Sequence, residues 1–430
     1  MKKQEPHLII YKDRSVLIDS DGSVSEFIEG SPSAEAKTRS AEIKKKLKEG
    51  YLEDIIKECY NPAIIDISEE HVKLIEQLVS SMTSEVGRAL VALTLLQLTI
   101  KSINPKQSIR LHKSSSSRGH FSWVEGISMR PLDKHYITPL LRRYGLLRLN
   151  ADGFMMTRTL AENYPYTKLY KAQMRGGKEA WINIVELIES NKLDVTYALK
   201  ALIVSLIQKS NQFKQIAENL LALEQKFIAS HPINFDLYCN LINEFVTKSG
   251  YSARIFEIVL HSFFQTLDQQ KVFEGYLVPL SQMRSANKKH GNIGDIEISY
   301  SPGGRDIIES WDAKYGKPYL REELEELDEK LADHPNARIA GFVTDCEPNL
   351  KEEITQRISE IESIHNIQIY IMPFKAWIFA ILERYEIDPN PIGPQWLNSI
   401  IETITLKRTE IAPIDEPTNV WIEELSKLIE

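Results

Sequence analysis

The sequence predicts a multidomain α+β protein, with a helical N-terminal region and a C-terminal mixed β-sheet flanked by helices. One observation is the length, because 430 residues correspond to two or three domains of ordinary size. Another is the composition, since 43% hydrophobic and 26% charged residues are typical of a soluble globular chain. The third is a change of periodicity, from helical spacing in the first half to alternating helices and strands after residue 252.

The N-terminal region is predicted to begin with a short hairpin and to continue as helices. Residues 7–29 alternate apolar and polar side chains around Asp19–Gly22, which is typical of two strands joined by a turn. Helical periodicity extends over Ser40–Ile103, with a break at Asn61-Pro62. The most apolar stretch, Ala89–Ile100, has only twelve residues, whereas a membrane-spanning helix needs about 20. We therefore expect no membrane association.

Features of secretion are weak in this chain. The lysines of Met1–Pro6 are not followed by an apolar stretch, which argues against a signal peptide. The cysteines Cys59, Cys239 and Cys346 are odd in number and far apart, so they predict neither a disulfide framework nor a zinc site. A reducing cytoplasm is the simplest compartment for such a protein.

Positive charge is concentrated in one segment. The whole chain has a net charge of −8, but residues 101–180 contain 15 Lys and Arg against 5 Asp and Glu. This segment therefore carries +10 and the rest −18. A basic segment in an acidic chain is typical of a localised polyanion site, although a solvated charged face is the alternative that composition alone favours.

A helix and a hairpin are predicted within the basic segment. Residues 135–147 place apolar side chains at helical spacing, and Arg148–Met156 predict strand, turn and strand, because Asp152-Gly153 suits a two-residue hairpin. This unit, about residues 126–164, resembles a winged helix-turn-helix, in which a helix enters the DNA major groove and the wing contacts the backbone. Scaffolding and protein contacts remain alternatives. The basic residues that we expect to contact DNA here are Arg118, Arg142, Arg143 and Arg148.

The second half of the chain is predicted to form a helical bridge followed by a mixed sheet. Residues 178–248 indicate three helices, and residues 252–267 indicate a further one. Strands are predicted at 271–280, 292–300, 306–315, 338–343 and 367–372, and helices at 320–331, 350–364 and 375–385. This order implies a mixed sheet with helices packed against it.

Three charged residues of the predicted sheet suit phosphodiester hydrolysis. Asp312 and Lys314 share a strand face, because residues two apart in a strand do so. Asp295 lies on the preceding strand and approaches Asp312 if the two strands pair as a hairpin. Two carboxylates can bind one or two Mg²⁺ ions, which lower the pKa of bound water and stabilise charge on the phosphate. The Lys314 amine can orient or deprotonate that water and offset the developing negative charge.

These residues resemble the motif of the PD-(D/E)XK nuclease family, which includes most type II restriction endonucleases. Asp312-Ala313-Lys314 matches the second acidic position and the lysine. Asp295 matches the first acidic position, but Gly294 precedes it where the motif has proline. The resemblance covers about residues 252–372 and implies a restriction-endonuclease-like fold.

The resemblance also implies two further site groups. The helix before the sheet supplies an acidic residue in many family members, and Glu257 matches that place. The backbone carbonyl of Ala313 would be a metal ligand by the same resemblance. A solvated helix position is an equally good interpretation of Glu257.

Other charged residues near the motif have competing interpretations. Glu309 is the rival of Asp312 but faces away from Lys314, and Glu297 is a possible ligand that fits better as an exposed carboxylate at the strand end. The basic loop before Asp295 contains Lys288 and Lys289, which can clamp a phosphate backbone. A solvated loop explains the same run of charges equally well.

Together these observations predict a Mg²⁺-dependent type II restriction endonuclease that cuts double-stranded DNA. The resemblance implies that it leaves 5′-phosphates, and a palindromic target implies a homodimer, because two-fold protein symmetry matches that of the target. The alternatives are a DNA-binding regulator with a non-catalytic nuclease-like module, and a repair or junction-cutting nuclease. The predicted segments are an N-terminal hairpin with helices (1–105), a winged-helix-like DNA-recognition unit (106–175), a helical bridge (176–250), a nuclease-like domain (251–390) and C-terminal tail helices (391–430).

Overall fold

The structure is a computed structural model in which the chain is an α+β protein with two compact units. Among the described residues, the first unit extends to residue 213 and the second begins at 214. This boundary lies inside the predicted helical bridge. The described residues are 5–62, 66–83, 85–117, 119–147, 149, 152–156, 160, 162–174, 176–232, 234–280, 292–407 and 418–430.

The first unit begins with a three-stranded antiparallel sheet rather than a single hairpin. Its strands, in spatial order, are β1 (His7–Ile10), β2 (Arg14–Ile18) and β3 (Val24–Ile28). The turn at Asp19–Gly22 occurs where it is predicted. The additional turn is tight, with the Tyr11 N–H donating to the Arg14 carbonyl at 2.8 Å. It contains neither glycine nor proline, and Asp13 is its only residue of a type common in turns, so the sequence signal for it is weak.

The remainder of the first unit is mainly helical. Its helices are α1 (Ala34–Lys48), α2 (Tyr51–Cys59), α3 (Glu69–Ser80), α4 (Glu85–Ile103), α5 (Met129–Leu132), α6 (Thr138–Arg143), α7 (Lys178–Glu189) and α8 (Val195–Ser230), within which the unit boundary lies. One hydrophobic core joins buried residues from α1 through the first half of α8.

The core helix α4 is the most apolar element of this unit. By length and composition, its 18 residues Val86–Ile103 qualify as a membrane span, with a mean hydropathy of 1.4. However, 78% of this window is buried within the protein. Gln97 is also buried, donating to the Ile109 carbonyl and accepting from the Trp181 indole N–H, both at 2.8 Å. These features are typical of a core helix in a soluble protein.

The predicted wing is wrong where the structure describes it. Phe154–Met156 form a turn of 3₁₀ helix instead of the second strand. The reason is Asp133, a fully buried residue whose carboxylate accepts bonds from the Thr138 hydroxyl at 2.6 Å and the Met155 N–H at 2.9 Å. Gly153 allows this approach, because a Cβ there would collide with the Asp133 carboxylate.

The helix of the predicted winged-helix unit also differs from its expected bounds. It is continuous from α5 to α6 through a π-helical segment, Asp133–Ile137, and ends at Arg143 instead of residue 147. Leu146 and Leu147, which follow it, are buried in the first unit's core. The described part of this unit therefore contributes side chains to the core of the first unit.

The second unit contains a mixed five-stranded sheet, as predicted. Its strands, in spatial order, are β4 (Tyr276–Leu277), β5 (Ile296–Ser299), β6 (Ile307–Lys314), β7 (Ile339–Thr344) and β8 (Gln368–Pro373). The pairs β4–β5 and β5–β6 are antiparallel, whereas β6–β7 and β7–β8 are parallel. The helices are α9 (Phe235–Lys248), α10 (Ser252–Gln269), α11 (Arg321–Leu331), α12 (Glu352–His365), α13 (Phe374–Arg384), α14 (Ile392–Glu402) and α15 (Thr418–Ile429).

Each face of this sheet packs against helices. One face contributes Ala340, Phe342 and Ile369 to a core with the leucines of α11 and the isoleucines of α12. On the other face Trp311 contacts Trp377 of α13, with ring centroids 5.6 Å apart. The strand β6 therefore lies between two apolar layers, and polar side chains on it need partners.

The buried Asp133 makes stability depend on pH. Burial raises its pKa from 3.8 to about 6, despite the hydrogen bonds that favour its ionised form. The folded state therefore holds this proton more tightly than the unfolded chain, so the stabilisation is full below about pH 4 and is lost as pH rises through 6. In the wild type, the free energy of unfolding should fall by about 3 kcal/mol as the pH rises over this range. In Asp133→Asn this decrease should be absent.

Denaturant unfolding of the purified protein between pH 4 and pH 7 measures this effect. Asp152→Asn is the matched control, because Asp152 is exposed and precedes Gly153, which packs on the Asp133 carboxylate. The control should keep the wild-type pH profile. Identical profiles for the two variants would contradict the assignment to Asp133.

Candidate active site

The antiparallel pairing of β5 and β6 brings Asp295 to the end of β6. Ile296 lies opposite Trp311 in the register. Asp295 continues the ladder, because its N–H donates to the Trp311 carbonyl at 3.0 Å. Its side-chain Oδ2 accepts the Ala313 N–H, also at 3.0 Å. The Asp295 carboxylate is therefore held against the backbone of the strand that carries Asp312 and Lys314.

The two acids and the amine predicted from the sequence are in contact. Lys314 Nζ lies 2.9 Å from Asp312 Oδ2, and both side chains are only about one-sixth exposed, at 17% and 16%. The Asp312 carboxylate also shares a hydrogen bond with the Asp295 carboxyl. Lys314 Nζ is 5.7 Å from the centre of the Phe342 ring, so an apolar wall flanks the amine.

Burial and like charge separate the proton affinities of the two acids. Burial raises the pKa of Asp295 well above 3.8, and the negative charges of Asp312 and Glu257 raise it further. Burial alone would also raise the pKa of Asp312, but the hydrogen bond from Asp295 and the charge of Lys314 outweigh it and lower that pKa. The pair therefore favours the state with one proton, held by Asp295, over the state in which both acids are ionised.

The same contact keeps Lys314 charged. Burial alone would lower the pKa of Lys314, but the neighbouring Asp312 carboxylate outweighs this effect and raises it. Lys314 is therefore an ammonium that neutralises Asp312, which favours its predicted electrostatic role over the role of a base.

Glu257 lies near this group but has a partner of its own. It forms an ion pair with Arg254, one turn earlier on α10, and Arg254 is 4% exposed. Its charge still acts on Asp295 and contributes to the raised pKa of that carboxyl. Glu257 is thus not a freely solvated helix residue.

A small pocket adjoins Asp312 on the α11 side of the sheet. It has a volume of about 10 Å³, room for about one water-sized group. Ser310 lies two residues before Asp312 on the same face, and its Oγ is buried without a hydrogen-bond partner among the described residues. The pocket therefore retains capacity for a polar ligand. Its polar lining comes from Ser310, Asp312, Lys314, Glu323, Glu326 and Lys330.

The donor set suits a hard divalent cation. Among the described residues, no three His, Cys, Asp or Glu side chains form a metal-holding group. Asp295 and Asp312 supply two carboxylates, and the Ala313 carbonyl faces the same side of β6 as its N–H, toward Asp295. Mg²⁺ is usually bound by one or two carboxylates and takes its other oxygen ligands from water and substrate phosphate. These residues fit that mode of binding.

Glu309, the rival acid, is structural. It is 3% exposed on the opposite face of β6 and accepts hydrogen bonds from the Trp311 indole at 2.6 Å. Arg384 and the Tyr385 hydroxyl each donate to it at 3.0 Å. These three donors satisfy the carboxylate, so the preference for Asp312 agrees with the geometry.

The prediction that Glu297 is an exposed carboxylate is wrong. Glu297 is 3% exposed, and its Oε1 accepts the backbone N–H groups of Ile293 at 2.6 Å and Gly294 at 3.3 Å. The carboxylate folds back onto the turn before its own strand. Proline in place of Gly294, as in the family motif, would lack the second of these donors.

The predicted DNA-contact residues differ in their surroundings. Arg142 is exposed near the end of α6. Arg143 is also exposed, but it forms an ion pair with Glu53 of α2 at 2.6 Å and lies over the Tyr144 ring. Arg118, Arg148, Lys288 and Lys289 lie outside the described residues.

Several cations of the basic segment are bound within the first unit. Arg110 forms two hydrogen bonds with Glu186 at 2.6 and 2.7 Å, and Lys101 pairs with Glu189 at 3.3 Å. Lys178 donates to two backbone carbonyls at 2.8 Å. The acids Glu53, Glu186 and Glu189 lie outside the segment, so its balance of +10 overstates the charge available to a partner.

Lys330 of α11 is at the site, although the sequence does not predict it there. Its Nζ donates to the Ile293 carbonyl at 3.2 Å, and its charge acts on Asp312. The sequence indicates the position of Lys330 only by its spacing, three residues after Leu327 and next to the apolar stripe of α11 that faces the sheet.

No protein-family model matches this chain, and no curated protein is significantly similar to it. The resemblance to PD-(D/E)XK nucleases therefore depends on the residues themselves and on the strands that carry them.

Gly294 is required by the close approach of the turn to β6. A Cβ at this position would lie 2.7 Å from both Ser310 Oγ and the Trp311 carbonyl oxygen. We expect Gly294→Ala to lower the free energy of unfolding of the second unit by about 1–3 kcal/mol, because neighbouring backbone must move. Gly250→Ala is the control, since its Cβ would meet no atom within 4 Å. Equal denaturation midpoints for the two variants would refute this packing argument.

Proposed function

We propose that this protein is a Mg²⁺-dependent DNA endonuclease of the type II restriction class. The observation that carries the proposal is the contact of Asp295, Asp312 and Lys314 at the end of β6. Buried carboxylates in contact are costly unless a proton or cation offsets their charge. Such an arrangement is more readily explained by a functional site than by packing.

The roles of the residues follow from their geometry. Asp295 and Asp312, with the Ala313 carbonyl, would hold Mg²⁺. The ion would supply an activated water and stabilise negative charge on the attacked phosphate. Lys314, held as an ammonium by Asp312, would orient the water and the scissile phosphate and offset the charge that develops in the transition state. Glu257 would act through the electrostatics of Asp295.

The sheet supports this proposal at the level of architecture. A mixed sheet between helical layers, with the acids on two antiparallel strands and α10 before them, is compatible with a restriction-endonuclease-like fold. We propose double-stranded DNA as the substrate and the cytoplasm as the location. We also propose a homodimer, because a palindromic target is matched by two-fold protein symmetry.

Plasmid cleavage tests the proposed activity. Purified protein should convert plasmid DNA to discrete fragments with Mg²⁺ and leave it intact with EDTA. Asp312→Asn and Lys314→Met should each reduce the cleavage rate by 10²-fold or more. The first removes a carboxylate that would hold Mg²⁺, and the second removes the positive charge that would offset negative charge in the transition state. DNA binding in Ca²⁺, measured by mobility shift, should remain near the wild-type level.

The control is Glu322→Gln, which changes the same charge at an exposed position of α11. It should cut like wild type. Undiminished cutting by Asp312→Asn or Lys314→Met would exclude the proposed site. Intact plasmid with retained DNA binding would identify a non-catalytic regulator, and cleavage confined to branched DNA would identify a junction nuclease.

Substitution of two neighbouring arginines tests whether the first unit contacts DNA. Arg142 is exposed, so we expect Arg142→Ala to weaken binding and to reduce the slope of log affinity against log salt by about 1. Arg143 is paired with Glu53, so Arg143→Ala should affect the slope less than Arg142→Ala does. Fluorescence anisotropy from 50 to 200 mM salt separates the two. An unchanged slope for Arg142→Ala would remove it from the interface.

A further inference from the structure

The turn that carries Asp295 is held on both of its backbone edges. Lys330 Nζ donates to the Ile293 carbonyl at 3.2 Å. On the other side, Glu297 Oε1 accepts the Ile293 N–H at 2.6 Å and the Gly294 N–H at 3.3 Å. Both polar groups of Ile293 are thus bound by charged side chains instead of by a neighbouring strand.

This arrangement matters because the regular strand begins after Asp295. β5 contains only Ile296–Ser299, and Asp295 is joined to β6 by its own N–H and by one carboxylate oxygen. Gly294 packs so closely on Ser310 and Trp311 that the turn has little room to approach β6 further. The contacts of Lys330 and Glu297 fix the backbone of the turn at Ile293 and Gly294.

The two holding residues are well placed to be rigid. Glu297 is 3% exposed and lies within β5, opposite Ser310 in the register. Lys330 is on α11, whose neighbouring side chains Leu327 and Leu331 are buried against the sheet. Lys330 also lines the pocket beside Asp312. One lysine thereby connects the α11 layer to the turn that bears the first acid.

We propose that Lys330 and Glu297 are positioning residues, which clamp the Ile293–Gly294 turn and thereby set the Asp295 carboxylate against Asp312. This inference rests on the proposed function for its catalytic consequence, but the clamp itself is a property of the fold. Outer residues that orient metal ligands commonly change metal affinity or activity by about 10–100-fold when they are replaced. The effect should therefore appear as a changed requirement for Mg²⁺.

The test compares Lys330→Met with Lys330→Arg. Methionine keeps the apolar stem but cannot donate to the Ile293 carbonyl, whereas arginine can. Hydrogen–deuterium exchange of the whole protein, followed by mass spectrometry, should show faster exchange at Ile293–Glu297 in Lys330→Met and near wild-type exchange in Lys330→Arg. In plasmid cleavage, the Mg²⁺ concentration for half-maximal rate should rise about 10-fold in Lys330→Met and recover in Lys330→Arg.

The two measurements separate this inference from the proposed function. Unchanged exchange in Lys330→Met overturns the clamp. Faster exchange with an unchanged Mg²⁺ requirement in a cleaving enzyme overturns the inference that the clamp positions Asp295. If the wild-type protein does not cleave DNA, the proposed function fails, and with it the effect of Lys330 on catalysis through Asp295. Exchange then still decides whether the lysine holds the turn.

Discussion

The contact between the Asp295 and Asp312 carboxyls is the interaction on which the site depends. Two buried acids repel each other when both are ionised, so the fold must offset one charge. Lys314 does this from the same strand, 2.9 Å from Asp312, and a proton held by Asp295 does it from the other side. Lys314 and this proton together offset the negative charge of the two acids, and a divalent cation could replace the proton.

Strand β6 makes this contact possible because its two faces pack toward different helices, α13 on one side and α11 on the other. Glu309 and Trp311 point toward α13, where Arg384 and Tyr385 satisfy the glutamate. Ser310, Asp312 and Lys314 alternate with them and line the pocket on the α11 side. The alternation of a strand thus separates a structural acid from a candidate catalytic one only three residues away.

The same alternation explains why this part was predictable from the sequence. The order of strands and helices after residue 252 and the approach of Asp295 to Asp312 depend on local periodicity and one hairpin. The wing was not predictable in the same way, because Asp133 holds Phe154–Met156 through buried hydrogen bonds across more than 20 residues. The prediction for Glu297 is wrong because the partners of this carboxylate are backbone groups, which carry no sequence signal.

The charge of the basic segment illustrates the limit of composition as a predictor of partners. A formal balance describes the segment alone, whereas the field at the surface depends on which charges the fold has already paired. Glu53 neutralises Arg143 and Glu186 neutralises Arg110, and both acids lie far away in the sequence. Binding of a polyanion to the first unit would therefore depend on those cations that remain exposed, such as Arg142, rather than on the segment as a whole.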